Sequence, residues 1–531
     1  MSARVLVLGI DAGSAPLLEA WAAEGALPNV RALMARGVVG HTESLEGFFV
    51  GSTWPSFYTG ASPAEHGIHS LVQIRPGTYV LDRCYTGEFV KREPFWNHLS
   101  RAGRRLAILD VPLTGLSRGL NGIQMVEWGS HDANYGFRAW PRGLAREVRR
   151  RFGHHPLTDS CDVDHRSPAQ FVAFTRRLVE GVRRKAALTR HYLGREDWDL
   201  FVQVFTEGHC AGHQCWHLHD SRAPGWDAAT VAETGDPIRE VYVAIDRAIG
   251  EILADVGRPT LVVLLASHGM AHRVGAQFLL RDVLVRLGAA APAPPPAPPP
   301  ATDSPPRPLR AALARGWALT PELVRRPVRR VHARRQRWIE ARDWPRPLPL
   351  ETRDGRCFVV DNGLVVGGIR LNLAGREPRG LLAPAAVPEF CGAVRRELLE
   401  IVDVESGRPV VGRVMRTDEL YRGAYRQHLP DLLVEWSQER ALGSATVGTG
   451  RGASVRLTSS RIGTLEGINR YCRSGDHRRE GLFVAVGPGL EPGRMPGAVS
   501  IMDFAPTLAG LLGVELPAAA GRPIQPLLGR A

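Results

Sequence analysis

Two short stretches of this chain carry side chains that chemistry can use. The first, FTEGHCAGHQCWHLHD at residues 205–220, holds His209, His213, His217 and His219 together with Glu207 and Asp220. His209 and His213 are four residues apart, so on a helix they share one face. Two imidazoles at that spacing can grip one metal ion, as they do on metalloprotease helices. The second stretch, GSTWPSFYTG at residues 51–60, sets Ser52 and Thr53 directly before Trp54-Pro55. A surface loop needs no Trp and no Pro to fix φ. A buried turn avoids hydroxyls unless they are hydrogen-bonded. A hydroxyl held here is therefore a candidate nucleophile, provided a metal or base lowers its pKa.

Three more candidates stand beside apolar runs. Asp11 follows RVLVLGI, His268 follows TLVVLLAS, and His477 lies in RSGDHRREG just before GLFVAV. Taken singly, each has a plain structural reading: the Asp as a cap for the next helix, the His as a satisfied core residue. Together they place polar residues at the ends of several strands, and in open α/β sheets ligands bind at the carboxyl ends of strands.

The elements that would position these residues follow from the hydrophobic pattern. Short apolar runs at Arg4–Ile10, Arg105–Leu109, Leu200–Phe205, Thr260–Ala266, Asp431–Glu435 and Leu482–Val486 read as buried parallel strands. Helix-like segments lie between them, at Pro16–Arg36, Ala169–Leu193 and Pro237–Val256. Strands alternating with helices predict an α/β protein with a mostly parallel sheet. Residues 289–308, AAAPAPPPAPPPATDSPPRP, form a polyproline-type linker that joins neither sheet nor helix. An Arg-rich stretch follows, with a helix predicted over Val328–Ala341. It is either a solvated basic face or a contact for an anionic partner or membrane surface. Residues 288–350 are thus predicted to be a partly disordered insertion in a catalytic domain formed by 1–287 and 351–531.

Composition narrows the function classes. The 531 residues are 44% hydrophobic and 23% charged, as in ordinary globular proteins, and the formal net charge is +13. Such a surface favours anionic substrates. Only two of the 67 basic residues are lysines, Lys91 and Lys185, so the excess also reflects an Arg-rich, GC-type composition. No nucleic-acid motif of the usual kind is present. No apolar run approaches the roughly 18 residues of a membrane helix. The first apolar run is short and leads into Asp11 and glycines, as a strand does and a secretory signal does not. Seven widely spaced cysteines without a CxxC predict a reduced, cytoplasmic setting.

The motifs in combination resemble the alkaline phosphatase superfamily, and within it the type I phosphodiesterase/nucleotide pyrophosphatase family. VLVLGIDAG is similar to the family's first strand with its metal-ligand Asp, here Asp11. STWPSFYTGASPAEHGI resembles its nucleophile segment and places the nucleophile at Thr53. FTEGHCAGH, ASHGM and GDHRREG resemble the family's later metal segments, and IMDFAPTLAGLLGVELP its closing segment. The resemblance covers most of residues 1–285 and 350–531. It implies a three-layer α/β/α sandwich. It also implies one metal position formed by Asp11, Thr53 and His268 and another formed by His209, His213 and His477. Two departures stand out: His209 replaces an Asp four before His213, and Ser267 replaces the Asp before His268. Three neutral imidazoles suit Zn²⁺ with an open position. The expected content is one tight zinc and a second divalent metal that is weak or absent, with Glu207 a candidate replacement carboxylate.

What the resemblance implies is hydrolysis of phosphate esters, of diesters or pyrophosphates rather than monoesters, through covalent attack by Thr53 on a small phosphorylated substrate. Arg370, Asn372 and Arg376 are candidate substrate contacts, because guanidinium matches phosphate geometry. Two other readings remain at this point. The same covalent intermediate could pass its group to an alcohol, making the chain a transferase. Alternatively, the lost carboxylate marks a non-catalytic binding protein on a decayed phosphodiesterase fold. Oligomeric state is not legible.

Overall fold

Strand side chains alternate between two faces, and in this chain both faces are apolar. In a computed structural model describing residues 4–84, 89–129, 136–157, 166–257, 259–292, 344–439 and 453–529, that pattern builds a central sheet buried on both sides. Val5 and Val7 join one apolar cluster while Leu6, Leu8 and Ile10 join another. Val202 and Val204 likewise part from Phe201 and Phe205, and Val263 and Leu265 from Val262 and Leu264. Two cores flanking one sheet make the three-layer α/β/α sandwich.

Five neighbouring strands are parallel, in the order Thr260–Ala266, Arg4–Ile10, Leu200–Phe205, Leu106–Leu109 and Gly122–Val126. Arg138–Trp140 closes one side antiparallel. On the other side Glu480–Val486 pairs antiparallel with Thr260–Ala266, and Val38–Glu43 pairs antiparallel with it in turn. The expectation of a parallel strand at Leu482–Val486 is thereby corrected. Burial on both faces gives the same apolar run in either direction, so the pattern alone cannot set the sense. The run expected at Asp431–Glu435 is also placed differently. It forms Leu432–Trp436 in a separate antiparallel sheet with Cys357–Val360, Val366–Leu371 and Val411–Arg416. That sheet contributes to the same apolar cluster as Val5 and Val202.

The helices follow their end signals. Pro168–Leu193 begins with a capping box, Ser167 and Gln170, and a Pro in its first turn. Pro237–Ala254 is capped by the Asp236 carboxylate, which accepts from the Ile238 and Arg239 amides. The expected helix Pro16–Arg36 is two, Ala15–Glu24 and Pro28–Arg36. Gly25 at φ 85° ends the first and Pro28 starts the second. Most of the Pro-rich segment and the helix expected at Val328–Ala341 lie outside the described residues. No described helix is long and apolar enough to cross a membrane.

One buried ionic cluster fastens the sheet edge. The Lys185 ammonium, wholly buried, donates to the Val204 carbonyl at 3.2 Å and to Thr206 Oγ1 at 3.0 Å. It lies 3.4 Å from Glu207 Oε1 and 3.8 Å from Asp110 Oδ2. His155 Nε2 meets the same Glu207 oxygen at 2.8 Å, and Asp110 accepts the Trp128 and Gly129 amides at 2.8 Å each. Burial pushes the Glu207 carboxyl up, but Lys185 and His155 outweigh it and hold it below the usual carboxylate range. Space is tight: a Cβ on Gly129 would sit 2.5 Å from Lys185 Cε, and one on Gly181 2.4 Å from His155 Nε2. Replacing Lys185 by Met leaves two buried carboxylates without their cation. Urea unfolding should show a loss of about 3–5 kcal/mol. A loss within about 0.5 kcal/mol would mean that the cluster does not hold this edge.

Candidate active site

The strand Leu200–Phe205 passes through Thr206 into the helix Glu207–His219. Only two of the four histidines on this helix turn to the centre. His209 and His213 face one way, and their rings lie 4.4 Å apart. His217 turns to Ser474, with Nδ1 2.9 Å from Oγ. Burial lowers its pKa to about 4, so it is a neutral latch. His219 pairs with Asp236 at 2.6 Å.

His477 arrives from far along the chain on the strand Gly475–Arg478. This strand pairs antiparallel with Gly269–His272, and Met270 stands opposite His477. Gly475 allows the strand to lie on the histidine helix, since a Cβ there would come within 2.2 Å of the Gly212 carbonyl oxygen. Two bonds seal the contact: the Ser474 amide donates to the His213 carbonyl, and His213 Nδ1 donates to the Gly475 carbonyl, both at 2.8 Å. A carbonyl only accepts, so His213 carries its proton on Nδ1 and presents a lone pair at Nε2. His213 Nε2 is 3.2 Å from Nε2 of His209 and 3.2 Å from Nε2 of His477. Ligands about 2.0–2.1 Å from a tetrahedral zinc lie about 3.3–3.4 Å apart, so the donor set fits a zinc-sized ion. Among the described residues this buried trio is the one group of three His, Cys, Asp or Glu that converges at metal-binding range.

Asp11 and His268 reach the same edge because their strands flank one another. The Asp11 amide donates to the Phe205 carbonyl at 2.9 Å. Its carboxylate Oδ1 accepts the Trp54 indole at 2.7 Å, which ties the first strand to the segment that carries Thr53. Gly9 makes room for that indole: a Cβ there would lie 3.2 Å from Trp54 Cη2. Thr53 is the first residue of the helix Thr53–Thr59. Its Oγ1 lies 2.7 Å from the Phe49 carbonyl and 2.5 Å from Ser44 Oγ. Its rival Ser52 donates to the Ile68 carbonyl at 2.8 Å. His268 stacks near His477, with ring centres 4.8 Å apart, and its Nδ1 lies 2.9 Å from Ser267 Oγ. Burial pushes the thiols of Cys84 and Cys357 up to about 12 and that of Cys391 to about 11, which leaves these three unreactive.

Four residues expected at the site have other surroundings. Glu207, the candidate replacement ligand, turns into the Lys185–His155 cluster. Arg370 is wholly buried and donates to Glu377 and to the Gln427 and Leu429 carbonyls. Asn372 bonds Tyr79 and the carbonyls of Arg353 and Gly355, and Arg376 pairs with Glu377 and Asp431. The side chains expected to meet substrate are engaged by protein groups that bind the antiparallel sheet together. Two site residues had no role assigned from sequence. Ser44 meets Thr53 and carries no local signal. Arg473, whose Nη1 is 3.0 Å from His213 Nε2, stands four residues before His477 and was visible as a charge beside a metal motif.

With this geometry in place, known proteins supply the family. The profile described as Type I phosphodiesterase / nucleotide pyrophosphatase matches residues 5–442. Phosphonoacetate hydrolase from Sinorhizobium meliloti 1021 is similar in structure, with a TM-score of 0.53 and 14% identity over 97% of this chain and 96% of that one. Alkaline phosphatase PafA is similar at a TM-score of 0.52 and 12% identity, over 99% of each chain. At such identities the likeness establishes the fold. No curated protein matches the sequence. The profile spans most of the chain and includes Asp11, Thr53, His209, His213 and His268, while His477 lies beyond it, so this enzyme belongs to the type I phosphodiesterase/nucleotide pyrophosphatase family of phosphoryl hydrolases.

Proposed function

We propose that the chain is a metal-dependent hydrolase of phosphodiester or pyrophosphate bonds that uses Thr53 as its nucleophile. The observation that carries this reading is the buried trio His209, His213 and His477, set at metal-ligand spacing on the sheet edge where Asp11 and Thr53 also stand. The trio would hold a zinc ion, which when bound supplies positive charge for the phosphoryl oxygens and lowers the pKa of a nearby hydroxyl. Asp11, His268 and Thr53 are the proposed surroundings of a second, weaker divalent ion.

The protein groups divide the remaining work. Thr53 Oγ1 is aimed by its place at the start of a short helix and by Ser44. Trp54 and Asp11 fix that helix to the first strand. In the proposed reaction Thr53 Oγ1 bonds to phosphorus as the P–O bond to the leaving group breaks, and the hydroxyl proton ends on the leaving oxygen. Water then attacks phosphorus, the P–Oγ1 bond breaks, the water oxygen stays on phosphorus and one water proton returns to Oγ1. The Gly475 carbonyl holds the His213 proton on Nδ1, so Nε2 would be free to ligate a metal ion. The proposed compartment is the reducing cytoplasm, in keeping with the free thiols of Cys84, Cys357 and Cys391.

A turnover screen over phosphodiesters, pyrophosphate esters, monoesters and sulfate esters tests the class. The first two are expected to be cleaved in the presence of zinc, and cleavage of sulfate esters alone would refute the reading. Thr53→Ala is expected to lower kcat by at least about 10³-fold while zinc content and thermal stability stay at wild-type values. Retention of most of the activity would remove Thr53 from the mechanism. Ser267→Asp restores a carboxylate beside His268. Metal analysis should then rise from about one toward about two ions per chain, and a count unchanged by the substitution would contradict the account of the second position.

A further inference from the structure

Far from the histidine trio in sequence, residues 142–151 hold five arginines and one acidic residue, Glu147. Most of this stretch is the helix Leu144–Phe152, which buries Leu144 and Val148. Arg142, Arg146, Arg149, Arg150 and Arg151 are all exposed. At about 100° per residue, Arg146, Arg149 and Arg150 stand on the side opposite the buried stripe. They form one outward row, and Arg142 extends it past the start of the helix.

Helix electrostatics accounts for only part of this row. Cations in the last turn complement the negative end of a helix, which suits Arg149, Arg150 and Arg151. Arg142 and Arg146 lie at the other end, where the helix dipole disfavours a cation. Arg146 also meets like charge three and four residues on, an arrangement that destabilises helices. An Arg-rich composition sets how many arginines the chain has, not that they gather on one face against the preference of the helix.

Protein carboxylates do not answer the charge. Glu147 is taken by Arg195 at 2.9 Å and by the Tyr192 hydroxyl at 3.1 Å. On the neighbouring helix Glu180 is taken by Arg184 at 2.8 Å. Among the described residues the side chains of Arg142, Arg146 and Arg150 make no hydrogen bond or ion pair. Arg149 donates to the Phe137 carbonyl at 3.2 Å and covers the Phe137 ring at 5.3 Å, and Arg151 covers the Phe152 ring at 6.0 Å.

The face itself selects among anionic partners. None of the exposed large apolar side chains lies on it, so it lacks the apolar centre of a protein–protein interface. Its aromatic rings lie under guanidiniums, whereas single-stranded nucleic acid needs open rings on which bases stack. What remains is positive charge spread over a convex helix. A plane of anionic headgroups needs no more than that, because basic side chains near such a surface attract it without a pocket. We infer that the face formed by Arg142, Arg146, Arg149 and Arg150 docks the protein on an anionic lipid surface. The inference stands apart from the histidine trio and from the hydrolase reading.

The experiment floats the full-length chain with vesicles of phosphatidylcholine alone or mixed with phosphatidylglycerol, at low and high salt. The wild type should float with the mixed vesicles, stay behind with phosphatidylcholine alone, and be released as salt screens the charges. The triple variant Arg142→Gln/Arg146→Gln/Arg150→Gln should bind the mixed vesicles about thirtyfold or more weakly. Its Tm should equal or exceed that of the wild type, because the charges it removes serve an outside partner at the expense of the helix. A control, Arg31→Gln/Arg395→Gln/Arg396→Gln, removes the same charge from other exposed helix positions and should weaken binding less than about threefold. The single change Arg146→Glu should weaken it about tenfold or more. Equal weakening by both triple variants would make binding a matter of net charge and overturn the inference. Equal flotation with both vesicle types, or unchanged binding by Arg146→Glu, overturns it as well. So does a lowered Tm in the first triple variant, which would make these arginines a support of the fold. A wild type that ignores the mixed vesicles but binds a duplex or single-stranded oligonucleotide through the same arginines would assign the face to nucleic acid instead.

Discussion

A lysine ammonium placed where water does not reach holds the sheet edge that carries the candidate active site. Lys185 bonds the last residues of the strand Leu200–Phe205 and the first residues of the helix that follows, through the Val204 carbonyl, Thr206 and Glu207. That junction sets the helix register, and the register turns His209 and His213 to the centre and Glu207 away from it, while Ser474 holds His217. The chain uses arginine for nearly every other cation. A compact ammonium with three donors suits a site where glycines at 129 and 181 already leave no room for a Cβ. The cost of burying that charge is offset only because two carboxylates and a histidine are buried with it.

A second constraint joins distant parts of the sequence. The His213 side chain and carbonyl both bond the segment that carries His477. That segment is in turn paired with the residues directly after His268. Strand, helix and hairpin therefore close on one point, and the trio is assembled by protein–protein hydrogen bonds before any ion is considered. Asp11 and Thr53 are joined to this point through Trp54, whose indole needs the space left by Gly9.

Much of this was legible in the residues. Apolar runs followed by Asp11, by Thr206-Glu207 and by Ser267-His268 announced parallel strands with polar carboxyl ends, and the four-residue spacing of His209 and His213 announced a shared helix face. What escaped was set by geometry that sequence spacing does not carry. Glu207 is close to His209 in sequence, but residues two apart on a helix point about 200° apart, so it serves Lys185 instead. Arg370 and Arg376 read as candidate substrate contacts only because a guanidinium matches phosphate geometry. The Arg376 partner Asp431 stands just before another strand, 55 residues further along the chain, and nothing local reveals the pairing. The direction of Glu480–Val486 was hidden because a strand buried on both faces has the same composition whichever way it runs.

The central claim is that His209, His213 and His477 form a nitrogen-only metal site, and cobalt reports on it directly. The purified chain would be stripped with a chelator and titrated with Co²⁺ while visible absorption is recorded. The account predicts d–d bands of low-coordinate, nitrogen-ligated cobalt that saturate near about one equivalent and vanish in His477→Ala. Bands that persist unchanged when any of the three histidines is replaced, or no bands at all in the folded wild type, would contradict it.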